Sequence, residues 1–133
     1  MFDVLRQKYP RAQVWAFGDS PSMANELAAL VIKGRKTATC CALEGLSNDE
    51  QPKVGDISIV LDGVGQPVCV IRTQALHTVS FDKVTAELAY KEGEGNRSLV
   101  HWQHVHQAFF ERERCFSPQM PLLFEEFECI EVV

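Results

Sequence analysis

Residues 34–40 read GRKTATC, directly after an apolar run that ends Val31-Ile32-Lys33. An apolar stretch that stops at a glycine and resumes as a threonine-rich run reads as helix, turn and strand. Glycine supplies the left-handed residue that closes a helix, and threonine suits a pleated, half-buried surface. That accounts for Gly34. It leaves Arg35, Lys36 and the threonines open between ordinary strand residues and a hydroxyl nucleophile with its base.

Upstream, Phe2 to Tyr9 reads as a short helix ending before Pro10, and Gln13 to Phe17 as a short strand. Asp19-Ser20-Pro21 starts the next helix: Ser20 caps it, and Pro21 suits the first turn because its missing N–H has no partner there. Met23, Leu27, Leu30 and Val31 then share one face, and Gly34 stops the helix. Downstream, residues 36–42 read as a strand and 43–53 as a polar loop. Ile57–Leu61 and Val68–Thr73 read as strands joined by the hairpin signal Asp62-Gly63-Val64-Gly65. Ala75–Ser80 reads as another extended piece, followed by a short helix from about Lys83 to Lys91. The longest helix follows Ser98, with Leu99, Trp102, His106, Phe109 and Phe110 on one face. Ser117-Pro118 breaks it, and LLFEEFECIEVV alternates as one or two closing strands. Five or more short strands, mostly joined by hairpins with helices inserted, predict an α+β domain on a small barrel-like sheet.

The chain has 133 residues, 46% hydrophobic, which fits one domain over residues 1–133 with a core of its own. Its formal net charge of −5 argues against broad, charge-driven binding of long nucleic acid, which needs an excess of Lys and Arg. A local basic pocket remains compatible. No stretch approaches ~18 uncharged apolar residues, so no membrane span is expected. The N-terminal MFDVLRQKYP lacks the apolar core of a secretory signal. Five irregularly spaced cysteines read as free thiols in a reducing cytoplasm.

The sequence HWQHVH places His101 and His104 side by side on a helix, with His106 about 200° round from His104. The three cannot converge, so no metal site and no cofactor is expected. Cys40 and Cys41 are adjacent and point to opposite faces of a strand, and Cys40 reads as a small buried residue. EGEGNRSL at 92–99 lacks the glycine spacing and the GK[ST] of a phosphate loop. As a loop between helices it explains Gly93, Gly95 and the capping Ser98, but not Glu92 and Glu94.

FGDSP at 17–21, GRKTATC at 34–40, PKVGD at 52–56 and EGEGNRSLVHW at 92–102 occur together and in this order. In that combination the chain resembles the bacterial stand-alone branch of the ASCH domain family over residues 15–132. The resemblance implies a PUA-like fold, a barrel-like mixed or antiparallel sheet with helices around a cleft. It also implies a link to RNA or modified nucleosides. Some members that this chain resembles are amidohydrolases removing acetyl from the exocyclic amine of acetylcytidine. Others are ribonucleases or RNA binders.

By position, the amidohydrolase pattern implies Lys36, Thr39 and Glu92 as catalytic residues. A threonine hydroxyl attacks only once a base takes its proton. Lysine becomes that base when its pKa is lowered, a service expected here of burial and of the neighbouring Lys33 and Arg35. Glu92 then passes a proton to the leaving amine. Arg35, Lys53, Arg72, Glu94 and Ser98 complete the expected substrate contacts. Positions 36 and 39 of a straight strand face opposite ways, so the pair requires a turn or bulge at 34–38. The wider family's pattern resembles GxKxxExR; here Thr39 stands in the glutamate's place and Cys41 in the arginine's.

Two readings follow. One is a hydrolase of an acylated nucleoside or nucleotide. The other is a module that binds or cleaves single-stranded RNA, with Lys33, Arg35, Lys36, Lys53 and Arg72 on phosphates. Lys36→Ala and Glu92→Gln are expected to leave the fold nearly intact.

Overall fold

A computed structural model describes residues 2–133. The chain runs α1 (Phe2–Lys8), β1 (Gln13–Ala16), α2 (Pro21–Ile32), β2 (Ala38–Ala42), β3 (Ile57–Leu61) and β4 (Pro67–Ser80). A 3₁₀ turn (Phe81–Lys83), α3 (Ala86–Glu92), α4 (Leu99–Arg112) and β5 (Pro121–Val132) follow. Five strands form one curled sheet in the order β1-β3-β4-β5-β2. Among the described residues, no helix is long and apolar enough to cross a membrane.

The connections differ from a chain of hairpins. Among the described residues only β3 and β4 are joined by a tight turn, where Asp62 Oδ1 accepts from the Val64 and Gln66 amides. β1 pairs with β3 in parallel, and β2 adds to the far edge of β5, with Thr39 opposite Glu125. The two extended pieces around residue 74 form one strand. β4 runs from Pro67 to Ser80 against β5, with a register shift between Thr73 and Ala75. A bulge of this kind bends a long strand and strengthens its twist, which is what curls the sheet. The closing segment is likewise a single strand, β5.

Three apolar clusters hold the layers. α2 packs Leu27, Ala28 and Val31 on Val60, Cys69, Ile71 and Phe127. α1 covers the opposite face of the same strands, with Leu5 on Ile59 and Val70. α3 and α4 bury Ala89, Trp102 and Phe110 against Leu122 and Phe124. Each long helix starts on a hydroxyl cap: Ser20 accepts from the Met23 amide and Ser98 from the His101 amide. Such caps contribute about 1 kcal/mol each.

Candidate functional site

The opening segment is a helix exit followed by a sharp entry into the sheet. Gly34 adopts φ +77°, the Gly34 amide donates to Val31 O, and the Arg35 amide donates to Leu30 O. These two bonds close α2 and turn the chain inward. Regular strand begins only at Ala38, so residues 34–37 supply the turn that the 36/39 spacing requires. Lys36 ends up inside the protein with 2% of its surface exposed.

The second half of the site comes from the end of α3. Gly93 closes that helix at φ +75°, and Gly95 is also left-handed, at φ +59°. Arg35 holds the loop between them. Its Nε donates to the Gly93 carbonyl at 2.8 Å and its Nη2 to the Gly95 carbonyl. Between these anchors, Glu94 turns its carboxylate to Lys36, with Nζ to Oε2 at 3.1 Å. Lys36 Nζ also donates to the Glu92 backbone carbonyl at 3.2 Å.

Glu92 is 1% exposed, and its carboxylate meets α4 rather than solvent. Trp102 Nε1 donates to Glu92 Oε2 at 3.0 Å, and His106 Nε2 lies 2.9 Å from the same oxygen. The Trp102 and His106 rings stack with centroids 4.3 Å apart.

Electrostatics follow from this packing. Burial alone would lower the Lys36 pKa, but the Glu92 and Glu94 carboxylates outweigh it and hold the value above the ordinary one. The expected lowering by Lys33 and Arg35 is therefore corrected. Arg35 is committed to the Gly93 and Gly95 carbonyls, and Lys33 is exposed. Lys36 rests as a buried ammonium. Burial would raise the Glu92 carboxyl, yet the Lys36 charge and the His106 and Trp102 donors hold it well below the usual carboxylate range. For His106, burial works against the charged form, and the bond to Glu92 reverses that, raising the value. Burial and the Glu92 charge push the Cys40 thiol up, so it stays protonated.

These groups surround an inner cavity of about 130 Å³, lined by Lys36, Thr39, Cys40, Glu92, Glu94 and His106 and walled by Phe17, Met23, Leu27 and Phe109. An outer cleft of about 310 Å³ adjoins it, and Phe17, Gly18, Thr39 and Cys40 belong to both. The curl of the sheet brings its two edge strands, β1 and β2, to this one cleft. Asp56, Glu50 and Glu125 line it together with Trp15; no Lys or Arg does so among the described residues. A third groove, about 530 Å³, opens beside the end of α2. It touches Lys36 but none of Thr39, Glu92 and Glu94, so it does not gather the candidate residues.

Of the residues singled out from sequence, Lys36, Thr39, Glu92 and Glu94 converge on the inner cavity. Arg35 stands behind it as the loop's anchor. Ser98 is the cap of α4, Arg72 pairs with Glu128 on the exposed face of β4, and Lys53 lies on an exposed loop. Sequence reading missed Trp102 and His106 as partners of Glu92, and Cys40 as a cavity wall. Cys40, Glu92 and His106 also bring their ligand atoms within 4.8 Å of one another. With His106 and Glu92 joined as donor and acceptor beside the Lys36 cation, the arrangement is an ion pair next to a protonated thiol, and a divalent ion would have to part it.

The ASCH domain family model matches residues 13–131. The structure is similar to a crystal structure of an ASCH domain from Lactobacillus crispatus JV V101, at 30% identity and a TM-score of 0.84. That match covers 95% of this chain and 84% of the other. A crystal structure of a protein from Enterococcus faecalis V583 matches at 35% identity and a TM-score of 0.85, covering 99% and 91%. An ASCH protein from Zymomonas mobilis shares the fold at 9% identity and a TM-score of 0.57, covering 92% and 73%. No curated protein matches the chain. The half-barrel sheet with its flanking helices is the PUA-like architecture of ASCH domains. The chain belongs to the ASCH domain family.

Proposed function

We propose that this ASCH domain is an amidohydrolase that removes an acyl group from the exocyclic amine of an uncharged, cytidine-like nucleoside. One observation carries the reading: Thr39 lies on the wall shared by two cavities of opposite character. An amide bound across that wall presents its carbonyl carbon to the threonine hydroxyl, with Lys36 and the two glutamates on one side. The outer cleft offers Trp15 and Phe17, packed edge to face at 4.7 Å, as stacking surfaces for a base. Its carboxylates suit hydroxyl and amine donors and repel phosphate.

In this reaction Thr39 Oγ1 attacks the acyl carbon, Lys36 accepts the hydroxyl proton, and a carboxylic acid protonates the departing amine. The resting ammonium at Lys36 has to give up a proton before it acts. The cations that favour an RNA-binding reading are dispersed: Arg35 is committed to carbonyls, Lys36 is buried, Arg72 is paired, and the exposed Lys33 and Lys53 line neither the inner cavity nor the outer cleft.

The test is a hydrolysis screen of acylated cytidine as nucleoside and as 5′-phosphate, run beside labelled RNA. Turnover of the nucleoside with intact RNA is expected, and Thr39→Val abolishes it. RNA cleavage with no turnover of acylated nucleosides would assign the cleft to nuclease chemistry.

A further inference from the structure

Resting on the amidohydrolase reading, we infer that Glu94, rather than Glu92, is the carboxyl group that moves the proton during the reaction. The two glutamates are two residues apart, but their surroundings give them different chemistry.

Glu92 has no freedom to exchange a proton. Its Oε2 already accepts from Trp102 Nε1 at 3.0 Å and faces His106 Nε2 at 2.9 Å. His106 Nδ1 lies 3.0 Å from the Trp102 carbonyl, which can only accept, so Nδ1 carries a proton and Nε2 is the nitrogen left to face the Glu92 carboxylate. A buried carboxylate facing an imidazole and an indole N–H, with the Lys36 cation nearby, is held in its ionised form. Toward Lys36, Glu92 offers a hydrogen bond only through its backbone carbonyl. Its side chain supplies a fixed negative charge.

Glu94 has the opposite setting. It lines the same cavity, its side chain is 19% exposed, and its one hydrogen-bonded partner among the described residues is Lys36 Nζ at 3.1 Å. When a substrate fills the cavity and displaces water, an ion pair loses its hydration and the neutral pair becomes comparably stable. The Nζ–H bond then breaks as the Glu94 O–H bond forms. The neutral Lys36 amine takes the Thr39 proton while Oγ1 bonds to the acyl carbon. Glu94 passes its proton to the amine nitrogen as the C–N bond breaks, leaving an acyl-threonine ester. In the second half, Glu94 takes a proton from the attacking water and Lys36 returns one to Thr39 Oγ1. Proton transfer from Glu94 back to Lys36 restores the resting pair, and the net change is amide plus water to acid plus amine.

The experiment compares two leaving groups: acetylcytidine, whose amine departs only when protonated, and nitrophenyl acetate, whose phenolate departs without a proton. The first-turnover acylation rate is read, so that deacylation does not enter, at alkaline pH, where solvent base neutralises Lys36 without help from Glu94. Glu94→Gln is expected to lower it on the amide by about 100-fold or more while costing the nitrophenolate burst of the ester less than about tenfold. Glu94→Asp should recover part of the amide rate, and a melting curve checks that each variant is folded. Unchanged amide turnover in Glu94→Gln, or equal loss on amide and ester, would overturn the assignment while leaving the amidohydrolase reading in place. A wild-type protein that hydrolyses no amide overturns both.

Discussion

His106 Nε2 meets Glu92 Oε2 at 2.9 Å, in a setting where the other ring nitrogen already donates to a backbone carbonyl. The pair joins α4 to the end of α3, and the Glu92 carboxylate favours the charged form of the imidazole. The side chains facing His106 across the cavity are Glu92, Glu94, Lys36, Cys40 and Arg112. The net effect is to raise the folded pKa of His106 above 6.5.

The sign of the pH dependence follows. A raised histidine contributes stability that is fully present below its unfolded value and is lost as pH rises through its folded value. The depressed Glu92 contributes stability present above its unfolded value and lost as pH falls through the folded one. Melting temperature should therefore fall as pH rises above neutrality, and His106→Gln should flatten that fall. Parallel curves for the two proteins between about pH 6 and pH 9 would contradict an imidazolium at this position.

Lys36 and Glu92 are core residues as well as site residues, so the expectation that their variants keep the fold nearly intact is revised. Glu92→Gln leaves the buried His106 without its counter-charge and Lys36 with Glu94 alone, and breaking a buried pair in this way costs about 3–5 kcal/mol. Urea denaturation should show a loss of that order. A loss below about 1 kcal/mol would mean that water reaches the pair.

The glycine-rich loop makes a separate claim. A Cβ on Gly93 would lie 2.4 Å from the Arg35 carbonyl oxygen, and its φ of +75° disfavours any side chain. Gly93→Ala should cost more than about 1 kcal/mol and lower kcat by displacing Glu94. Arg35→Lys cannot reproduce the forked contact with two carbonyls and should weaken turnover with a smaller stability loss. Wild-type kinetics in both variants would show that the loop's position does not matter to catalysis.

Salt and chelators separate the functional classes. Activity on an uncharged nucleoside should persist at ~0.5 M salt, because few phosphate contacts are made. It should also persist with a chelator present, and His104→Ala, on the exposed side of α4, should change kcat by less than about twofold. Loss on chelation, restored by a divalent ion, would turn Cys40, Glu92 and His106 into ligands.

Local signals in the sequence carried the elements they belong to. Ser20-Pro21 placed the start of α2, Gly34 its end, and Asp62–Gly65 the tight hairpin between β3 and β4. Partnership across the sheet was not legible. Nothing near Gln13 announces a parallel neighbour at Ser58, and nothing near Gln74 announces that β4 continues through a bulge. The site divides the same way. Lys36, Thr39, Glu92 and Glu94 were legible as types, whereas the sign of the Lys36 shift depends on carboxylates 56 and 58 positions away. Trp102 and His106 were legible as one helix face; that the face meets a buried glutamate was not.

The most direct test of Thr39 as nucleophile is to trap the acyl-enzyme. Wild-type protein mixed with acetylcytidine, quenched in acid during turnover and digested, should carry one acetyl group on the peptide containing Thr39, fragmenting to the Thr39 hydroxyl. Thr39→Val should carry none. An acetyl on Cys40, or steady turnover with no acylated peptide, would contradict a threonine nucleophile and with it the central account of this site.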